Sequence, residues 1–363
     1  MDENTTTPFE MRLSEVPSMP QPQLDLTYST AIPSNGGTFT ANQEVRIPFN
    51  VPSECFVDLK RAYLKFNLKN TSASSIYLDP SVGGASVIDN WRVVGGTGAL
   101  LEEVIHYNNY SAMLRVNDNH AKVSSVNHEE DGAGTDSCLE ELRCDTVGRT
   151  NAVLTLTGAT EVAAAGTRTI THRPNSALFN ADRYMPLGYT QGVSYISITL
   201  SGNATAAIAP AGAAGPPRVF GDVSYETSNW ELHLPILRPG PDFAAMFRSA
   251  MGSGVPIQIH SVGVQNTQQT ITGGSSQSET LTFSTRKRSV KALLAGIRVN
   301  SAVTNPEANS ISGFLNCAIS RYNWAIGGVR IPAQQIECSA SDKGELMANT
   351  QMALGYFNSD LRG

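Results

Sequence analysis

Apolar and polar positions alternate with a period of two along much of this chain, as they do in half-buried strands. Residues 45–49 (VRIPF) and 56–68 (FVDLKRAYLKFNL) open the pattern. In the longer run Phe56, Asp58, Lys60, Ala62, Leu64, Phe66 and Leu68 share one face, and Val57, Leu59, Arg61, Tyr63, Lys65 and Asn67 share the other. Neither face is purely polar, which predicts a bulge or a partly covered second face. Residues 88–94 form an apolar strand, Gly95-Gly96-Thr97-Gly98 a tight turn, and residues 100–106 the returning strand. Glycine suits that turn because it reaches φ > 0 without a Cβ clash. The period then becomes helical, with Tyr107, Tyr110, Met113, Leu114 and Asn117 near one face. Residues 151–172 alternate Thr with Val, Leu and Ala, as a projecting hairpin does, and 192–200 (GVSYISITL) is a further strand.

The second half restarts the same grammar. Strand material surrounds Trp230 over residues 219–237 and ends at Pro239-Gly240-Pro241. Residues 243–251 (FAAMFRSAM) predict a short helix with Pro at its first turn. Long strands over 257–271 and 279–299 flank Gly273-Gly274-Ser275-Ser276, and residues 314–331 make a strand pair turning at Gly327-Gly328. Residues 341–357 read as a terminal helix capped by Ser341 or Asp342. Between these elements lie an acidic, Gly-rich loop at 118–150 and a low-complexity linker or surface loop at 202–217. Residues 1–40 are rich in Pro, Thr, Ser and Gln, and Pro17, Pro20 and Pro22 keep them extended. The expected organisation is an extended arm over 1–40, a first barrel with loop insertions over 41–217, and a second barrel with a C-terminal helix over 218–363. The second barrel looks compact, because few strand signals follow residue 331. The fold class is all-β, two strand-rich barrels with short accessory helices.

Composition narrows the function. Only 16% of the 363 residues are charged, and 31 Gly and 19 Pro suit strands joined by many turns. A formal net charge of −6 argues against a dedicated nucleic-acid reader, which usually carries a basic surplus. Five cysteines, Cys55, Cys138, Cys144, Cys317 and Cys338, are too few and scattered for a disulfide scaffold, so synthesis in a reducing compartment is expected. The first residues are acidic, with no apolar signal region, and no window approaches a membrane helix.

Candidate chemistry is sparse. His106, His120, His128, His172, His233 and His260 include no HxH pair and no HExxH, so the metal ligands of a cupin-type enzyme are missing. Cys138 and Cys144 lack a second Cys or His pair, and the run Glu129-Glu130-Asp131…Asp136…Glu140-Glu141 lacks EF-hand spacing. Gly95-Gly96-Thr97-Gly98 is not followed by the Lys-Ser/Thr of a phosphate loop. Arg286-Lys287-Arg288, with Lys291 beyond, is the one basic run. It meets nucleic acid or an anionic membrane, or it ends a strand against acidic partners; its shortness favours the strand end. No nucleophile elbow or Ser/His/Asp spacing stands out. Catalytic, cofactor-binding and metal residues are therefore all given as none, and the chain is read as a non-enzyme.

The order of these features resembles the double jelly-roll major capsid proteins of adenovirus, tailless icosahedral phages, virophages, Polinton-like viruses and large eukaryotic DNA viruses. The resemblance spans residues 40–360. It rests on the strand run over 45–68, the hairpin and helix over 88–117, Arg286-Lys287-Arg288-Ser289-Val290-Lys291-Ala292 opening an apolar strand, and Gly328-Val329-Arg330-Ile331-Pro332 before the last helix. It implies that both barrels are jelly rolls, in a structural protein of the virion shell that trimerises into pseudo-hexameric capsomers and tiles an icosahedron. Implied partners are further copies of the chain, penton and minor capsid proteins, and an inner membrane or genome reached through Arg286, Lys287 and Arg288. The alternatives are a penton or minor capsid protein, or a receptor- or glycan-binding jelly roll. Trp91, Trp230 and Trp324 all fall inside expected strands, which favours core placement over exposed sugar-stacking.

Overall fold

The computed structural model describes residues 24–79, 82–115, 161–181, 183–190, 192–206, 223–252, 263–271, 278–284, 290, 292–298, 311, 319–338, 348–350 and 352. It is mostly β-sheet with a few short helices. The first strands are β1 (Leu24–Ala31), β2 (Thr38–Thr40), β3 (Glu44–Phe49), β4 (Phe56–Val57), β5 (Tyr63–Asn70), β6 (Ile76–Tyr77), β7 (Ile88–Val94) and β8 (Leu100–Val104). Helix α1 (Tyr107–Arg115) follows, then β9 (Glu161–Val162), β10 (Thr167–His172), β11 (Ser194–Leu200) and the single-turn helix α2 (Asn203–Ala206). The long strand β12 (Tyr225–Pro239) leads into α3 (Pro241–Gly252), and β13 (Arg321–Ile326) and β14 (Val329–Glu337) form a hairpin.

Two sheets pack face to face. One has the order β1-β12-β5-β10, with β2 and β4 also paired to β12; the other has the order β3-β11-β7-β8. Taking β1, β3, β5, β7, β8, β10, β11 and β12 as B to I in chain order, the sheets read B-I-D-G and C-H-E-F. That interleaving of eight antiparallel strands is the jelly roll.

Alternation produces the core. Val45, Ile47 and Phe49 on β3, Leu64, Phe66 and Leu68 on β5, and Ile196, Ile198 and Leu200 on β11 all turn inward and are buried. Fully burying each such side chain stabilises the fold by about 1.5–3 kcal/mol. Phe66 stacks on Trp230 with ring centroids 4.0 Å apart, joining β5 to β12, and Trp91 meets Phe179 edge-on at 5.2 Å. The mixed faces of residues 56–68 have a simple cause. A 3-10 turn over Leu59–Arg61, capped by the Asp58 side chain, separates β4 from β5 and resets which residues face in. The turn after β7 is closed by Gly98 N–H donating to Gly95 O at 2.8 Å, with Gly98 at φ +83.

Two expected boundaries move. The arm expected over 1–40 ends by Leu24, because β1 pairs with β12 along its whole length. The expected division at 217/218 falls before β12, which is the second strand of the first barrel's sheet. The jelly roll therefore runs from Leu24 to Pro239. A jelly roll places its last strand beside its first, so the chain must complete the linker before closing the barrel.

In the second half, the hairpin at Gly327-Gly328 forms as expected, with φ of +58 and +84 suiting a two-residue turn. Residues 263–271 and 278–284 are joined by Gln265 donating to Ser284 O at 3.1 Å. Residues 348–350 and 352, within the expected terminal helix, are helical.

Candidate functional site

Strand register decides which side chains the outer surface of the barrel presents. Across the outer face of the six-stranded sheet, Leu26 lies opposite Leu237, which lies opposite Phe56. Tyr28 lies opposite Pro235, and Thr30 opposite His233 and then Tyr63. By register, strand β1 puts Leu26 and Tyr28 on the outer face with Leu237 and Pro235, and Asp25, Thr27 and Ser29 on the inner face with Arg238, Ile236 and Leu234, although Asp25 and Thr27 are as exposed as Leu26 and Tyr28. Farther along, Lys65 pairs with Glu231 and Lys69 with Glu226, both at 3.6 Å, so that part of the face is polar. A shallow depression there is lined by Lys65, Asn67, Thr169, Asn229 and Glu231 above buried Trp230.

Two brackets carry the chain from the barrel to its second half. At the first, His106 turns the chain between β8 and α1 at φ +52, while its ring bonds Asp89 at 3.1 Å. Beside it, Asn266 donates to Ile105 O at 3.1 Å and Arg298 donates to Asn109 Oδ1 at 2.7 Å. Burial pulls the Arg298 guanidinium below its ordinary pKa. At the second bracket, α3 folds back so that Phe243 and Phe247 meet Phe56 at 6.1 and 5.2 Å. Tyr189 closes the cluster at 4.7 Å from Phe247, and Arg248 forms an ion pair with Glu54.

One buried polar network lies within the barrel. Glu102 points inward from β8 and accepts hydrogen bonds from Ser176 Oγ, from Ala177 N at 2.7 Å and from Leu178 N at 3.3 Å. Tyr107 Oη lies 2.8 Å from His172 Nε2 and accepts from Asn175 N at 2.6 Å. Burial is the largest influence on Glu102 and raises its pKa, although the three donors oppose it. The sequence carried a signal for this group. In a strand, one of the adjacent Glu102 and Glu103 has to face in. Glu103 takes the outer side with Arg92 at 2.7 Å.

The structure separates the other sequence candidates. His106, His172 and His233 sit apart, each with its own hydrogen-bond partner. Among the described residues no group of three His, Cys, Asp or Glu is arranged to hold a metal ion. Cys55 and Cys338 are buried and free. Trp91 and Trp230 are in the core, while Trp324 is part-exposed beside Phe283 at 6.4 Å. Arg286, Lys287, Arg288, Lys291, Cys138, Cys144, Cys317, the acidic residues 129–141, His120, His128 and His260 lie outside the described residues. Among the described residues no helix is long and apolar enough to cross a membrane.

No protein-family model matches the chain, and no curated protein sequence does. Solved structures do. The chain is similar to the PBCV-1 virus capsid at 9% identity and TM-score 0.35, over 62% of this chain and 45% of that one. It is similar to the Faustovirus major capsid protein at 10% identity and TM-score 0.39, over 68% and 60%. It is similar to a chain of the Sputnik virophage at 12% identity and TM-score 0.36, over 60% and 48%. The match thus spans about half the length of these chains. At these scores the likeness stands beside the geometry and adds no weight to it.

Proposed function

We propose that this chain is a major capsid protein, a double jelly roll that trimerises into pseudo-hexameric capsomers and tiles an icosahedral shell. The observation that carries the reading is a jelly roll whose interior is filled by side chains, with exposed apolar groups on its edge strand. Trp91, Phe179, Phe66 and Trp230 fill the space between the sheets. Leu26 and Tyr28, by contrast, face away from the core on an edge strand. A strand that turns its apolar side outward suits a surface that another subunit covers. The contacts at Arg298 and Arg248 tie residues of the second half to the barrel, which suits a rigid building block. Shell contacts recur many times, so each can be weak while the particle stays stable. The trimer contact should be larger and more apolar.

In this reading residues 1–23 form the arm toward neighbours, and Arg286, Lys287 and Arg288 face an inner membrane, the genome or an acidic strand end. Penton and minor capsid proteins would fill the positions the trimer leaves. Light scattering on the purified chain tests the proposal. A trimer or larger assembly at micromolar concentration is expected, with removal of residues 1–23 sparing the trimer and impairing particles. A stable monomer that binds a glycan would overturn it in favour of the receptor-binding alternative.

A further inference from the structure

Strand β1 ends its sheet: β12 lies on one side of it and, among the described residues, no strand lies on the other. The direction of its free backbone groups follows from β12. Pro235 has no N–H, and its carbonyl accepts from Asp58 N at 3.0 Å, on the side of β12 away from β1. Opposite residues of an antiparallel pair either bond each other through both groups or turn both away. Tyr28, opposite Pro235, therefore turns its N–H and C=O to the free edge, and by alternation Leu26 and Thr30 do the same. Leu26 is 41% and Tyr28 69% exposed, so the open edge carries open apolar side chains.

Such an edge invites another strand, and proteins usually block it. The chain does so at β3, which ends the other sheet. The Asn35 side chain donates to Glu44 O at 2.7 Å and accepts from Arg46 N at 3.0 Å, and Ser34 N donates to Arg46 O at 2.9 Å. Among the described residues no comparable group covers β1. Residues 1–23 lead directly into β1 and lie outside the described residues, but their sequence contains a match for its edge. Between Pro8 and Pro17, Phe9, Met11 and Leu13 alternate with Glu10, Arg12 and Ser14. Laid antiparallel along the free edge, Met11 falls opposite Leu26 and Phe9 opposite Tyr28 on the outer face, and Arg12 falls opposite Asp25 on the other. The parallel sense that keeps Met11 opposite Leu26 puts Glu10 beside Asp25, a repulsive pair.

We infer that residues 9–13 of one copy add as a strand to the free edge of β1 in another copy. Main-chain bonds at Leu26 and Tyr28 supply the attachment, and the Met11–Leu26, Phe9–Tyr28 and Arg12–Asp25 pairs set the register. Pairing within one chain is disfavoured, because residues 14–23 would have to close the hairpin and they include Pro17, Pro20 and Pro22. Ordinary hairpin loops have about two to five residues. Pro-rich sequence extends about 3.1 Å per residue, so residues 17–23 span about 20 Å and suit delivery to a neighbour. The inference deepens the shell reading and rests on it for the presence of neighbouring copies.

Two full-length variants, Met11→Cys and Leu26→Cys, test it when mixed at micromolar concentration under mild oxidation and resolved on a non-reducing gel. The mixture should give a covalent dimer that neither variant nor the wild type gives alone, since opposite residues of a strand pair lie within disulfide reach. Thr27→Cys in place of Leu26→Cys puts the thiol on the other face and should lose the dimer. Arg12→Asp in the Met11→Cys chain should lower the yield by about fivefold, and Asp25→Arg in the Leu26→Cys chain should restore it. No dimer in the mixture, equal yields from Leu26→Cys and Thr27→Cys, or a disulfide formed only within a chain carrying both Met11→Cys and Leu26→Cys would each overturn the inference. If Leu26→Cys does not fold, Phe9→Cys with Tyr28→Cys reads the same register. A trimer in light scattering without the mixed dimer refutes this contact and leaves the shell reading standing; the mixed dimer from a chain that forms no trimer does the reverse.

Discussion

Cutting the chain at residue 217, where its linker composition invites a domain boundary, should destroy the first barrel. Cutting after α3 should preserve it. The cut at 217 removes β12, which pairs with β1, β2, β4 and β5. It also removes Tyr225, Trp230, Leu232, Leu234, Ile236 and Leu237 from the buried set. At about 1.5–3 kcal/mol each, those six side chains are worth about 9–18 kcal/mol. A typical domain has a net stability of only roughly 5–15 kcal/mol. Phe66 would also lose its stacked partner, and β1 would have no strand beside it. Residues 24–217 and 24–252 can be expressed side by side and compared by thermal unfolding with circular dichroism. The longer piece should melt cooperatively and the shorter should show no transition. A cooperative melt from residues 24–217 would refute the assignment of β12 to the first barrel.

Gly188→Ala should destabilise the barrel by more than an ordinary surface change, because a Cβ there would lie 2.3 Å from Pro52 O and 2.6 Å from the Cys55 backbone. Loss of about 1–3 kcal/mol is expected in denaturant unfolding, the usual cost of overpacking, and an unchanged midpoint would mean the chain relaxes freely at that crossing. Arg298→Met keeps the apolar stem but removes the donor to Asn109, which is itself buried. Limited proteolysis should separate the second half from the barrel more readily, by about 1.5–3 kcal/mol in apparent stability, and an unaltered cleavage rate would place the tie between the halves elsewhere.

Much of the barrel could be read from periodicity. Val45, Ile47 and Phe49, and Leu64, Phe66 and Leu68, fall on buried faces because alternate side chains of a strand point to opposite sides. The hairpin at Gly95-Gly96-Thr97-Gly98 and the helix from Tyr107 were legible for the same local reasons. What escaped was non-local. Nothing near Leu24 says that its partner is Pro239, and β1 does not alternate toward the core, because Leu26 and Tyr28 face outward. A strand whose apolar side faces outward looks like an irregular arm when read alone. Glu102 escaped for a related reason: its donors are three backbone and hydroxyl groups some seventy residues away, and composition cannot display them.

That same non-locality bears on how the chain reaches its fold. β3, β5, β7, β8 and β10 are all synthesised before β11 and β12, yet β3 reaches β7 only through β11, and β1 reaches β5 only through β12. Neither sheet is complete until its inner strand arrives. Closing loops this long costs entropy before any contact returns it, so folding should be slow for the size of the domain. At about 5–20 residues per second, β1 waits on the order of ten seconds or more for β12 during synthesis. Through that interval Leu26 and Tyr28 belong to an unpaired, partly apolar strand. The polar side chains Asp25, Thr27 and Ser29, interleaved with them, keep it from being apolar on both faces. A strand that must stay soluble while it waits, and then present apolar groups to a neighbour once paired, is suited by that alternation. The inverted pattern of β1 therefore answers a folding constraint and, under the proposed shell role, an assembly constraint with the same residues.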